Sequence, residues 1–327
     1  MLNAVHIGAA LTLAAELRPA TVDCIVTSPP YWGLRDYGVA GQTGQEPTPE
    51  AYVAELTALF SALAPALKPT GTLWLNLGDS YAGHNGGRGG GSIQRGNAGA
   101  NIPHRKKPFG YKNKDLIGIP WAVAFALRSA GWYLRQDIIW AKPNAMPQSV
   151  RDRCTTAHEY VFLLTREPRY YYNAEAIAVP AKTAGEAPRT GKGSGRGAGH
   201  NRTSTGGPMN RAGRAMRGMD YVPEGGTANR RSVWNIPIAP YPGAHFATMP
   251  YELARLCVQA GCPPGGTVLD PFAGTGTSLV AAANTGRNYI GFELNPEYAA
   301  MANHRLKTEL GLFYGLTHMP TEHEPEN

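Results

Sequence analysis

Residues 267–293 read TVLDPFAGTGTSLVAAANTGRNYIGFE, and this stretch decides the fold. TVLDPF (267–272) is a short apolar run that reads as a buried strand, Ser278–Thr285 as a helix, and NYIGFE (288–293) as a second strand. Between the first strand and the helix, Gly274 and Gly276 let the backbone bend sharply and approach a ligand closely. The turn is not a Walker A loop, because no Gly-Lys-Ser/Thr closes it, and it lacks the full G-x-G-x-x-G of a dinucleotide site. Glu293 ends the second strand, one strand–helix–strand unit on, where a carboxylate can accept from both hydroxyls of a ribose. Alone it is equally a solvated strand-end acid. Paired with the glycine turn, it points to an adenosine-containing ligand without a triphosphate.

Working outward, a helix is expected over Met249–Ala260 and another over Pro296–Leu310. VDCIVT (22–27) is a second buried run bounded by turn signals. Val53, Leu56, Phe60, Leu63 and Leu67 recur at helical spacing over 49–67, with Thr48-Pro49 as the start and Lys68–Gly71 as the stop. TLWLNL (72–77), 134–140 and 160–165 read as further strands, and 120–130 as a helix opened by Pro120. This repetition predicts an α/β fold, a doubly wound, mostly parallel, Rossmann-like sheet.

After VDCIV the chain reads TSPPYW (27–32). Two prolines cannot continue a strand, so the chain turns outward there. The result is a rigid corner carrying a hydroxyl, a carbonyl and two aromatic rings. Both this corner and the glycine turn occupy the C-terminal ends of strands, where ligands gather in open sheets.

The bulk properties fit. The chain has 327 residues, 43% hydrophobic and 17% charged, with a net charge of +7 that suggests an anionic partner, nucleic acid first. Four scattered cysteines form no disulfide framework, and the C-x4-C of Cys257 and Cys262 lacks a second ligand pair, so no metal is expected. The first residues carry no basic region and reach Glu16 and Arg18 soon after their apolar stretch, which reads as neither signal peptide nor membrane span. A reducing, cytoplasmic setting is expected.

Two basic stretches interrupt the pattern. Residues 81–114 hold seven Lys and Arg and no acid; 182–231 is rich in Gly, Arg, Ser and Thr. Neither can build a core alone. Solvated loops are the plain alternative to the expectation adopted, insertions that order on a phosphate backbone. The chain then divides into a catalytic half (1–181, with the 81–114 insertion), a target-recognition insertion (182–231), a cofactor half (232–310) and a disordered tail (311–327).

Together these motifs resemble the DNA amino-methyltransferases. DPFAGTGTS with FELN is similar to their S-adenosylmethionine site, and TSPPYW to their catalytic (Asp/Asn/Ser)-Pro-Pro-(Tyr/Phe) motif. The catalytic motif comes first, the circularly permuted order of the β class. IIWAKPN (138–144), AHEYVFLLT (157–165) and HFATMPYEL (245–253) stand where that class carries further motifs. The resemblance implies that Ser28 and the Pro29 carbonyl accept hydrogen bonds from the target amine, that Pro30 stiffens the corner, and that Tyr31 stacks on a base flipped out of double-stranded DNA. It implies cofactor contacts from Asp270, Pro271, Phe272, Gly274, Gly276, Thr277 and Glu293. Trp32, Asp79, Lys142, Asn144, Arg211, Arg214 and Arg217 are candidate base or DNA contacts, and Asp36 a candidate near the donor. Each has a duller role: Ser28 and Asp79 as caps, Tyr31 and Trp32 as core aromatics. His158 and Glu159 are expected to support the fold rather than move protons.

Related chains often carry Gly-Asp near the N-terminus, the acid lying near the cofactor adenine; here it is Gly8-Ala9. Ser-Pro-Pro accompanies N4-cytosine methylation in this family, so cytosine is preferred to N6 of adenine. An RNA or protein amine methyltransferase, and a non-catalytic DNA-binding protein, are the rival classes. The recognition sequence, monomer or homodimer, and a cognate restriction endonuclease are left open.

Overall fold

The computed structural model describes residues 1–83, 110–181, 226–238 and 249–311. Most of the 81–114 and 182–231 stretches, with Arg211, Arg214 and Arg217, lie outside the described residues, as do 239–248 and the tail from 312.

The chain divides into two compact units, Met1–Ala176 with Arg231–Asn327, and Ile177–Arg230. Within the second, β6 (Val179–Pro180) and β7 (Thr227–Ala228) form a two-stranded antiparallel pair.

The first unit holds an eight-stranded sheet. Its strands are β1 (Ala4–Ile7), β2 (Val22–Thr27), β3 (Leu67–Leu77), β4 (Tyr133–Ala141), β5 (His158–Thr165), β8 (Val233–Asn235), β9 (Thr267–Asp270) and β10 (Asn288–Glu293). They lie in the order β1-β10-β9-β2-β3-β5-β4-β8. All are parallel except β5, which runs against both its neighbours. β9 and β2 are adjacent at the centre. From β9 the chain moves to β10 on one side, and from β2 to β3 on the other, so a topological switch point opens between them.

Every residue of β2 is buried, as a central strand covered on both faces requires. Along β3, Leu73, Leu75 and Leu77 join a cluster with Leu56, Phe60 and Leu63 of α2 (Pro49–Leu63) and Ile119, Val123 and Leu127 of α3 (Ile119–Ser129). Leu13 of α1 (Ala10–Ala14) belongs to it too. The alternate residues face α4 (Tyr251–Gly261): Thr72 Oγ1 donates to the Gly261 carbonyl at 2.9 Å, and Trp74 stacks near Tyr172 and Trp234. α5 (Thr277–Asn284) and α6 (Pro296–Leu310) continue that layer. The doubly wound α/β expectation holds.

Two boundaries differ from the sequence expectation by more than two residues. The helix begun at Pro49 ends at Leu63, and Lys68–Gly71, expected as its stop, belongs to β3. There the β2–β3 register shifts between Val22↔Leu67 and Cys24↔Thr72, a bulge that absorbs the extra residues. Lys68 is held by the buried Asp23, Nζ to Oδ1 at 2.8 Å, while Pro69 is exposed and sacrifices no ladder bond. The short β1, α1 and β8 carry too few residues to show periodicity. Cys257 and Cys262 are buried in the core; no cluster of three or more potential metal ligands occurs among the described residues. Among these residues no helix is long and apolar enough to cross a membrane.

Candidate active site

The switch point holds a cavity of about 590 Å³ whose lining includes Ser28, Pro29, Pro30 and Tyr31 with Asp270–Thr275 and Glu293. The two motifs, more than two hundred residues apart, meet because β2 and β9 pair side by side. One hydrogen bond joins their ends directly: Thr27 Oγ1 donates to Asp270 Oδ1 at 2.7 Å, both groups buried.

Asp270 is committed to the protein. Besides Thr27, its carboxylate accepts from the Phe272 amide at 3.0 Å and from Ser278 Oγ. It shapes the turn. Pro271, Phe272, Gly274 and Thr277 line the cavity, whereas Gly276 does not; it caps α5 in the left-handed region at φ 76°, its Cα side closed by Ala302. The Thr275 hydroxyl is buried in this turn with no partner among the described residues, as a loop shaped for a polar ligand would leave it. Glu293 accepts from Gly274 and Asn295 amides at 2.8 and 2.9 Å. Burial raises its carboxyl above the ordinary range, and the two amides oppose the shift. The glycine cradle, orphan hydroxyl and strand-end acid fit an adenosine-containing donor. Ala9 lines the same cavity and caps α1 without a side-chain hydrogen bond.

At the corner, the Tyr52 hydroxyl on α2 donates to the Pro30 carbonyl at 3.0 Å. The Pro29 carbonyl accepts no hydrogen bond among the described residues. Tyr31 is partly buried with its hydroxyl donating to Glu159 Oε2 at 2.5 Å, in the charge-assisted range. Asn76 Nδ2 reaches the same oxygen at 3.1 Å, and Lys142 pairs with the other. Burial first, then the Glu159 charge, push the Tyr31 phenol well above its ordinary value. Lys142 Nζ also stands 4.4 Å from the Trp140 ring centre.

Of the candidate base or DNA contacts, Lys142 lines the cavity. Trp32 does not: it is 6% exposed, packs in the core and donates to the Glu46 carbonyl at 2.8 Å, pinning the loop after the corner. Asp79 is a cap, accepting from the Ser80, Gly118 and Ile119 amides before α3. Asn144 pairs with the backbone of Ile238 in both directions at 2.8 Å, fastening a segment at the cavity wall. Asp36 accepts from the Gly38 amide in an exposed turn. Sequence reasoning did not bring Tyr52 or Asn76 to the site and assigned Glu159, within AHEYVFLLT, to the support of the fold; the buried Asn76 in the apolar TLWLNL was the available signal.

Two outcomes are expected. A Cβ on Gly78 would lie 2.6 Å from the Tyr31 ring, and overpacking of that kind costs about 1–3 kcal/mol. Gly78→Ala should therefore displace Tyr31 and slow catalysis about tenfold or more, with donor affinity by calorimetry unchanged. The second concerns Glu46, whose carboxylate accepts from the Gly44 amide at 2.8 Å beneath the corner. Burial, and secondarily Glu55, push it from an ordinary 4.5 up to about 7. The folded state then holds a proton that the unfolded chain releases, so stability falls as pH rises from about 4.5 to about 7. Glu46→Gln should match the wild-type melting temperature below that window and exceed it above; parallel curves would refute this.

The chain is similar to known proteins over most of its length. Residues 22–304 match the N6/N4 family model described as DNA methylase. The chain is 46% identical over 285 residues to the type II methyltransferase M.SmaI of Serratia marcescens, covering 87% of this chain and 84% of that one. It is 44% identical over 313 residues to M.Cfr9I of Citrobacter freundii, covering 92% and 87%. Among solved structures, a Thermus thermophilus protein described as a DNA modification methylase, complexed with S-adenosyl-L-methionine, matches at a TM-score of 0.57 and 25% identity over 95% and 96% of the two chains. PvuII DNA methyltransferase, cytosine-N4-specific, matches at 0.60 and 15% identity over 96% and 92%, a likeness of fold.

Proposed function

The chain belongs to the N6/N4 DNA methylase family, and from that membership we propose that it methylates N4 of cytosine at a specific site in duplex DNA. The enzyme is an S-adenosylmethionine-dependent DNA methyltransferase of the type II class. When bound, the donor supplies a methyl group activated by its sulfonium. Gly274, Thr275, Thr277 and Glu293 would hold it at the strand ends.

The observation that carries the reading is the Ser28–Pro29 corner opening into the same cavity as the glycine turn, on the neighbouring strand. An exocyclic amine is a poor nucleophile because its lone pair is delocalised into the ring. The Ser28 hydroxyl and Pro29 carbonyl accept hydrogen bonds from its two hydrogens and turn the lone pair towards the methyl group. The prolines and the Tyr52–Pro30 bond fix those acceptors before the base arrives, so little freedom is lost at the moment of reaction. Tyr31 keeps one side of its ring against Gly78 and meets the flipped base with the rest. The basic 182–231 segment grips phosphates and reads base edges, and a cognate restriction endonuclease is the natural partner of such an enzyme.

Nucleoside analysis tests this. Purified protein is incubated with unmodified DNA and S-adenosylmethionine, and the digested DNA is separated by mass spectrometry. N4-methylcytosine is expected. N6-methyladenine would overturn the choice of base, and no methylated base would overturn the function.

A further inference from the structure

Glu159 is more heavily engaged than a fold-supporting acid needs to be. Its side chain and that of Lys142 are each 15% exposed, and a pair so placed contributes little net stability because desolvation offsets the attraction. What the cluster provides is direction. Ser28 Oγ donates to Tyr31 Oη at 3.5 Å, and Tyr31 Oη donates to Glu159 Oε2 at 2.5 Å. The first contact is long, as catalytic hydrogen bonds often are before substrate binds. The second oxygen of Glu159 is held by Lys142, and Asn76 Nδ2 bonds Oε2 while its Oδ1 stands 3.3 Å from Tyr31 Oη. Both hydroxyls of the row donate in the direction of the carboxylate, Ser28 to Tyr31 and Tyr31 to Glu159.

We infer that Glu159 is the final acceptor of the proton displaced in amine methylation, reached from the base through Ser28 and Tyr31. This rests on the amine-methyltransferase reading above. As the nitrogen lone pair forms the new N–C bond, the electrons of the breaking S–C bond return to sulfur, and the nitrogen is left with one proton too many. That proton passes to Ser28 Oγ, the Ser28 proton to Tyr31 Oη, and the Tyr31 proton to Glu159 Oε2. The products are a neutral methylated amine, serine and tyrosine unchanged, and a neutral Glu159 acid that returns its proton to water after product leaves. Tyr31, kept neutral by its burial, passes a proton without retaining one. Lys142 and Asn76 are positioning residues: each holds one oxygen of the carboxylate and so fixes its direction towards Tyr31.

The test uses Tyr31→Phe, Glu159→Gln and the double variant in the full-length enzyme, by single-turnover methylation across pH with donor affinity measured by calorimetry. Tyr31→Phe keeps the ring and the Lys142–Glu159 pair, so it is the variant least exposed to misfolding. Each single variant is expected to lose about 10²-fold in rate, the double variant no more than the worse single one, and the acid limb of the wild-type pH profile to disappear. Donor affinity should stay within about twofold, since neither side chain belongs to the donor half of the cavity. By carbon NMR of ring-labelled tyrosine, the resonance absent from Tyr31→Phe should titrate lower in Glu159→Gln, its charged neighbour gone. Additive losses, a fully active Tyr31→Phe, or a retained acid limb would overturn the route. An unmoved tyrosine resonance would sink the route alone; a wild-type enzyme inert on DNA would sink the methyltransferase reading with it.

Discussion

Ser28→Ala is expected to lower single-turnover methylation by about 10²- to 10³-fold, the scale set by removing one preorganised hydrogen-bond partner from a reacting centre, with donor affinity and melting temperature close to wild type. Ser28 stands on the cavity side of the corner, partly buried. Its oxygen makes only the 3.5 Å contact to Tyr31 among the described residues, so the lone pairs that face the cavity are free for the amine. Removing the hydroxyl leaves one acceptor, the Pro29 carbonyl, and the amine can rotate about it. The lone pair then spends most of its time conjugated with the ring. The backbone of the corner is untouched by the change, since Pro29, Pro30 and the Tyr52–Pro30 bond remain. Loss of rate without loss of donor binding, read by calorimetry beside quenched-flow methylation, identifies a group used on the base. Parallel loss of both would mean that Ser28 serves only to shape the turn.

The corner and the glycine turn were legible in the sequence because each rests on local chemistry. Pro-Pro ends a strand wherever it occurs, and glycines after an apolar run bend the chain sharply. Glu159 was not legible, for a topological reason. A strand read over 160–165 in a mostly parallel sheet places its first residues at the end opposite the active site. β5 instead runs antiparallel, so its beginning meets the ends of its neighbours: Glu159 pairs with Trp140, and Tyr160 with Leu77. Direction is fixed by hydrogen-bonding partners far apart in sequence, and nothing in AHEYVFLLT announces it. Trp32 and Asp79 show the converse. Both follow strands at positions that suggest ligand contact, yet the loop Gly33–Glu46 and the start of α3 each leave backbone groups that need a partner, and these side chains meet them. A motif position gives the neighbourhood of a side chain; competition for hydrogen bonds decides where it ends.

That competition is strongest at Asp270, and Asp270→Ala should cost about 3 kcal/mol or more, since it strands buried donors that each carry a desolvation penalty of about 1–3 kcal/mol. At about 2–4 °C per kcal/mol for a chain of a few hundred residues, the melting temperature should drop by roughly 10 °C. The donors are Thr27 Oγ1 at the end of β2, the Phe272 amide inside the turn, and Ser278 Oγ on α5. Losing their common acceptor separates the strand ends that carry the two motifs, so donor affinity should fall at least tenfold along with stability. Asp270→Asn distinguishes charge from connectivity. Its carbonyl keeps Phe272 and Thr27 while its amide donates to Ser278, whose hydroxyl is free to turn, so a loss of about 1 kcal/mol is expected. The pH dependence carries the opposite sign to that of a salt-bridged aspartate. Burial raises the Asp270 carboxyl above its ordinary value despite the hydrogen bonds that oppose the shift, so the folded state takes up a proton before the unfolded chain does. The wild-type margin over Asp270→Asn should therefore widen as pH falls through the carboxylate range, in melts followed by circular dichroism. A margin that narrows on acidification would mean that the ionised carboxylate, rather than its shape and bonding capacity, holds the two motifs together.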